Sequence, residues 1–315
     1  MNKSEIRKDY FLNRYVIITP SRLKRPKSTV AKTSFVRQGP CPFCPDMIEK
    51  KLIIKAYQSP NRAGHSVKKQ SPWSIMVLKN KYPVVTINNQ QSYGQHEVII
   101  ETPNHGEELS QLSVQRIIEL LEVFKERTRK ISQIPKIDYV LIFKNEGGKA
   151  GASLTHAHDQ IFASQLRPPD LSEEFLAMNQ YYRKYGRCPY CDIIDQEEKS
   201  PRLIYADPHI VAFTPIASTY HYESWIFPRR HIDNITNLNK LETKVLAKVL
   251  KRILQKIYQL NLSYNFFLHQ VISEENQHFY LKIQPRESVW GGIELGSGLI
   301  VNSLSPEKAA QYLKI

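Results

Sequence analysis

The sequence predicts an α+β fold made of a duplicated unit, with an antiparallel sheet and one helix packed across it in each half. Three observations predict it. Each half opens on the same tetrapeptide, CPFC at 41–44 and CPYC at 188–191. Each continues through strand-like apolar runs into a long stretch of helical periodicity. Each closes on an apolar strand, a histidine and a last strand.

The elements follow in order. The first 40 residues read as an extended arm. After each CxxC pair, an apolar strand ends near a histidine: HEVIIETPNH at His105 and YESWIFPRRH at His231. Glu97 and Glu223 each stand eight residues before those histidines. Leu112, Ile117, Ile118, Leu121, Phe124 and Ile131 then recur at helical spacing, as do Leu241, Val245, Val249, Ile253 and Ile257. Asn239 with Glu242 forms a capping box for the second helix. DYVLIFK at 138–144 and YNFFLHQ at 264–270 are the next strands, and THAHDQIFA and QHFYLKIQP the last. Two prolines in RPPD at 167–170 mark the join, giving halves of 1–169 and 170–315. GGIELGSGLIVN at 291–302 adds a Gly-rich turn and a strand.

A chain of 315 residues with 41% apolar content buries a large core without disulfides. No run of 18 apolar residues is present and the N-terminus lacks an apolar leader core, so the expected location is cytoplasmic, with no membrane partner. The formal charge is 44 − 30 = +14, which fits phosphate-bearing partners. It is concentrated: residues 1–80 hold 17 Lys and Arg against 4 Asp and Glu, leaving 27 against 26 for the rest.

All four cysteines lie in C-x-x-C pairs. The two halves run Cys-x2-Cys-x60-His-x50-His and Cys-x2-Cys-x39-His-x46-His. Zinc takes thiolate and imidazole in a tetrahedron, and C-x-x-C supplies two corners from one turn. Cys41, Cys44, His105 and His156 form one such set; Cys188, Cys191, His231 and His278 form the second. CPYC is also a redox tetrapeptide, but redox use predicts one pair beside a βαβ unit rather than two, each with matched histidines.

The chemistry centres on residues 147–160, GGKAGASLTHAHDQ. On an extended strand His156, His158 and Gln160 project to one face. With His156 tied to metal, His158 stands beside a rigid anchor. A neutral imidazole attacks phosphorus and can carry a covalent nucleotidyl group. Gln160 can donate its amide to a phosphoryl oxygen as charge develops. The Gly-rich loop offers backbone N–H groups and Ser153 to phosphates. An H-x-H pair can also be two further metal ligands; the adjoining loop and Gln160 weigh against that.

FKNEGGKAGASLTHAHDQIFA resembles the active-site stretch of the galactose-1-phosphate uridylyltransferases, a branch of the histidine-triad superfamily. The likeness extends to NRYVIITPSRLKRP, CPFC, VLKNKYP and GGIELGSGLIVNSLSPEKAAQYL. Ala157 stands where the family has Pro between the histidines. The resemblance implies a histidine-triad-like unit in each half and ping-pong nucleotidyl transfer, with His158 as nucleophile and Gln160 holding the phosphate. It implies a nucleotide sugar and a sugar 1-phosphate as partners, and a homodimer. Asn80, Asn145 and Ser153 match positions that contact nucleotide or phosphate. Arg22 and Arg25 match arginines near the phosphates, and Glu294 an acid that holds sugar hydroxyls. Cys41, Cys44, His105 and His156 match the zinc ligands. CPYC in the second half is similar instead to a plant branch that uses ADP-glucose and phosphate. Tyr280 replaces the active His there, so one active site per chain is expected.

The leading expectation is UDP-glucose:galactose-1-phosphate uridylyl transfer. An adenylyl-transferring enzyme acting on ADP-glucose or diadenosine tetraphosphate is the alternative. A zinc-stabilised nucleic-acid binder would suit the charge, but no basic recognition helix or RNP-like aromatic pattern appears, and no nucleic-acid partner is expected.

Overall fold

The computed structural model describes residues 4–24, 40–58, 73–272, 277–287 and 289–315. A short ribbon comes first: β1 (Glu5–Lys8) and β2 (Tyr15–Ile18). The first half follows with β3 (Ile53–Tyr57), β4 (Ile75–Lys79), β5 (Gly94–Ile100), α1 (Val114–Ile131), β6 (Tyr139–Glu146) and β7 (His158–Ser164). Two helices then lead on, α2 (Pro169–Tyr185) and α3 (Pro189–Glu197). The second half repeats the plan with β8 (Leu203–Ala206), β9 (Ile210–Phe213), β10 (Ser224–Pro228), α4 (Lys240–Gln259), β11 (Tyr264–His269) and β12 (Tyr280–Pro285). The chain ends on α5 (Gly292–Ser297), β13 (Ile300–Asn302) and α6 (Pro306–Leu313).

The duplication is visible in the strand order β3-β4-β5-β7-β6-β11-β12-β10-β9-β8. Reversed, the second half reproduces the first, strand for strand. Every pairing is antiparallel. The halves meet where β6 pairs β11, with Tyr264 opposite Glu146 and Phe267 opposite Phe143.

One face of the sheet is covered by the two long helices. Ser113 caps α1 by accepting the Arg116 N–H, and Asn239 and Glu242 close the expected capping box of α4. Ile117, Leu121, Phe124, Val249, Ile253 and Ile257 pack there with Ile99, Ile142, Ile161, Ile226, Phe266 and Ile283 of the strands. Burying a side chain of this size stabilises by about 1.5–3 kcal/mol, so this layer dominates the fold. Leu241 departs from the expected stripe: it lies in the first turn of α4 and is 57% exposed.

Of the 40 residues expected to form an extended arm, those described at 4–24 form a strand ribbon instead. Val16 of β2 pairs in parallel with Ile300 of β13. Tyr10 and Phe11 pack on Trp225 and Tyr190, and Arg7 binds Glu307 at 2.7 Å, so the segment lies against the second half.

The equal offset of Glu97 and Glu223 does not make them equivalent in the sheet. Ile99 pairs Asp159 and Ile226 pairs Leu281, so Glu97 corresponds to Ser224, and Glu223 to His96. With side chains alternating between faces, Glu97 points to the helices and meets Arg127 at 2.7 Å. Glu223 belongs to the other face, where it accepts the indole N–H of Trp225 at 2.9 Å.

Candidate active site

The face of the first half opposite the helices holds a cavity of about 400 Å³, lined by Phe43, Leu78, Asn80, Val98, Ser153, His158 and Gln160 among others. Each lining group arrives for a local reason. His158 and Gln160 alternate to one face of β7, and Val98 of β5 stands opposite Gln160. Asn80 follows β4. Ser153 follows a tight turn at 148–150 bounded by Gly147 and Gly151 at φ +80° and +84°. A side chain at Gly147 would also strike Ser263 Oγ, its Cβ lying 2.4 Å away.

His158 is 6% exposed. Its Nδ1 lies 2.8 Å from the carbonyl oxygen of His156 and donates to it, so Nε2 carries the free lone pair. Burial, and then the nearby Lys144 cation, push the ring down to about 4, so the imidazole is neutral at physiological pH. The ring of Phe43 packs edge-on against it at 5.1 Å. β7 begins at His158, so His156 lies just before the strand rather than on it; Phe43 nonetheless touches both rings.

Beneath His158, on the helix face, lies a buried charged group. Lys144 binds the Glu101 carboxylate and reaches Glu146 at 3.1 Å and the His158 carbonyl oxygen at 3.4 Å. Burial alone lowers the Lys144 ammonium, but Glu101, Glu146 and Asp159 outweigh it and hold the charge.

Two metal-ligand sets stand in the expected composition. The ligand atoms of Cys41, Cys44, His105 and His156 all lie within 4.8 Å of one another, and so do those of Cys188, Cys191, His231 and His278. Three sulfur-to-nitrogen separations in the first set are 3.6–3.9 Å, and Cys191 lies 3.5 and 3.7 Å from His231 and His278 in the second. A tetrahedral zinc with its usual Zn–S and Zn–N bonds spaces them about 3.6 Å apart. His156 Nε2 donates to the Thr102 carbonyl at 2.8 Å and His278 Nε2 to that of Pro228 at 2.9 Å, which turns each Nδ1 toward the thiolates. Both groups fit a metal.

Not every predicted contact is brought to the cavity. Arg22 is exposed in the turn after β2, and Glu294 accepts the Gly291 N–H in α5. Neither lines the cavity, because both belong to the segments around the β1-β2-β13 sheet. Arg25 lies outside the described residues. Asn145 stands one step along β6 from the Lys144–Asp159 pair, beside His158. Its Oδ1 accepts from Asn265 at 2.8 Å, and Asn265 also donates to the Ala150 carbonyl at 2.8 Å. Asn265 thus braces both Asn145 and the Gly-rich loop from the second half.

Two groups escaped the sequence reading. Asn265 had no motif to flag it. His96 sits within HEVII, where the alternation with Val98 and Ile100 was the available signal. Its Nε2 lies 3.0 Å from Gln160 Oε1.

Residues 1–168 match a family model described as galactose-1-phosphate uridyl transferase, N-terminal domain, and residues 187–290 one described as scavenger mRNA decapping enzyme C-term binding. An ADP-glucose phosphorylase of Arabidopsis thaliana is 32% identical over 98% of this chain and 92% of its own. A galactose-1-phosphate uridylyltransferase of Thermotoga maritima is 29% identical over 98% of both chains. The crystal structure of an A. thaliana ADP-glucose phosphorylase with bound ADP-glucose superposes with a TM-score of 0.84 at 30% identity, covering 99% of this chain and 98% of that one. A solved uridylyltransferase superposes at 0.75 and 29%, with 99% and 98% covered.

Proposed function

Because the chain belongs to the galactose-1-phosphate uridyl transferase family, we propose that it is a nucleotidyltransferase that carries a nucleoside monophosphate on His158. Nε2 of the neutral ring attacks the α-phosphorus of a nucleotide sugar. A P–N bond forms, and the P–O bond to the leaving sugar 1-phosphate breaks with its electron pair. The Nδ1–H to His156 contact stabilises the charge the ring gains. A second phosphate-bearing acceptor then attacks the same phosphorus and releases His158. Gln160 holds the non-bridging phosphoryl oxygens, with Asn80, Asn145 and Ser153 around the nucleotide. The observation that carries this reading is His158 itself: neutral, tied at Nδ1, and lining a nucleotide-sized cavity beside Gln160.

The metal we assign to both Cys2His2 sets is zinc, the ion whose geometry matches thiolate–imidazole corners at these separations. When bound it supplies structure: it ties the Cys41–Cys44 loop to His105 and His156, and so fixes the carbonyl that holds His158.

The overall reaction we favour is uridylyl transfer from UDP-glucose to galactose 1-phosphate. ADP-glucose phosphorolysis is the second reading, supported by the 32% identity to an ADP-glucose phosphorylase. Incubation with labelled UDP-glucose or ADP-glucose, followed by quenching, separates them. Label on His158 from UDP-glucose, released by galactose 1-phosphate, is the expected result. Label from ADP-glucose alone, released by inorganic phosphate, establishes the second reading, and no label from either removes the mechanism. No helix among the described residues is long and apolar enough to cross a membrane.

A further inference from the structure

We infer that His96 is a positioning residue that sets which end of the Gln160 amide faces the cavity. The inference rests on the phosphate role given to Gln160 above. His96 is 9% exposed and does not line the cavity, so it can act only through its neighbours.

The geometry fixes its tautomer. The backbone N–H of Val84 points at Nδ1 from 3.3 Å. A backbone N–H can only donate, so Nδ1 must accept and the ring proton belongs on Nε2. Burial lowers the basicity of the ring, so it is neutral and has one N–H to place. That N–H meets Gln160 Oε1 at 3.0 Å. With the carbonyl end of Gln160 held by a donor, its NH2 end is the one left for an anionic oxygen. The reverse amide orientation would set NH2 against N–H.

Asn80 completes the arrangement. Its Oδ1 accepts the Tyr82 N–H at 2.8 Å, which sends its NH2 toward His96. That nitrogen lies 3.2 Å from Nε2 and 3.5 Å from Nδ1, in line with neither lone pair, as an amide over the ring does. Two cavity amides, Asn80 and Gln160, are therefore oriented around one imidazole. The second half lacks the device: Glu223 and Lys282 occupy the corresponding positions and face each other at 3.4 Å.

The test uses the full chain with UDP-glucose and ADP-glucose as donors. His96→Leu removes the donor, and His96→Gln returns an amide N–H near the same point. We expect His96→Leu to lower kcat of both half-reactions by about tenfold or more, with KM moved less, and His96→Gln to recover most of it. On a Gln160→Ala background His96→Leu should cost nothing further. Histidine 15N spectra of the wild-type protein should show His96 as the Nε2–H tautomer, a readout that does not depend on the variants folding. An Nδ1–H tautomer would overturn the inference. So would wild-type turnover in His96→Leu, or an equal loss on both backgrounds, with Gln160→Ala itself impaired. Wild-type turnover in Gln160→Ala would instead remove the phosphate role of Gln160, and this inference with it.

Discussion

The two halves share a strand plan, a long covering helix and a Cys2His2 cage, yet among the described residues the cavity beside the first cage measures about 400 Å³ and the one beside the second, lined by Phe11, Pro189 and Asp192, only about 80 Å³. In the first half Phe43 packs on His158 and leaves room above Gln160. In the second, Tyr190 stands where Phe43 does and packs on Tyr280 at 5.3 Å, with Trp225 and Phe227 alongside and Phe11 laid over the top. Tyr190 donates to Glu174, which also pairs with His269 at 2.8 Å. His269 corresponds to Asn145, so this polar position of the open half is matched by a group that helps to close the other. The layer beneath changes in the opposite sense. Lys144, Asp159 and Glu101 correspond to Leu268, Leu281 and Pro228. A sheet that tolerates leucines there does not need buried charge for its fold. The Cys2His2 cluster and the apolar layer are what the halves have in common, and the charged layer travels with the larger cavity.

The largest effect that can break this comparison is at His158. His158→Asn should lower nucleotidyl transfer by at least about 10⁴-fold, the scale of losing a covalent nucleophile, while circular dichroism and metal content stay unchanged. Tyr280→Phe, at the matching place, should leave turnover intact. Measurable covalent labelling of His158→Asn would end the assignment.

Next come the cages. Cys41→Ser and Cys188→Ser should each lose one equivalent of bound metal and about 5 kcal/mol of stability by denaturant unfolding. Only the first should also slow labelling in the protein that remains folded, because only His156 carries the carbonyl that holds a reacting ring. Equal slowing in both would mean that the two cages serve the cavity alike.

The smallest effects compare lysines. Lys144→Met leaves Glu101 buried without its cation and should cost about 3 kcal/mol. Lys282→Met should cost about 1 kcal/mol, since Glu223 keeps donors in Thr219 and Trp225. A Lys144→Met variant as stable as wild type would show that the charged layer is not held together as drawn.

Much of this was legible in the sequence. The Cys2His2 sets are readable because thiolate and imidazole are preferred zinc ligands and C-x-x-C pairs are rare, whatever chain lies between them, so four cysteines and their histidines could be grouped by order alone. The long helices were readable from 3.6-residue periodicity and the Asn239–Glu242 cap. What escaped depends on pairing across the sheet. Nothing near His96 announces that β5 and β7 bring it to Gln160. Nothing near Asn265 announces that β11 lies beside β6. The counting that equated Glu97 with Glu223 failed because the connection from strand to ligand differs by one residue between the halves, and one residue turns a side chain to the other face. Arg22 and Glu294 matched a motif, but position within a motif carries no distance to the cavity.

The β6–β11 seam has a consequence for how the chain reaches this state. A ribosome releases β6 long before Tyr264–His269 exists, and the strand waits with an unpaired row of N–H and C=O groups flanked by Val140, Ile142 and Phe143. Such an edge invites pairing with a second nascent chain. Cutting the protein at 169/170 would make that waiting permanent, with β6 bare on one fragment and β11 bare on the other. The fragments would be expected to aggregate when expressed apart and to find each other when expressed together.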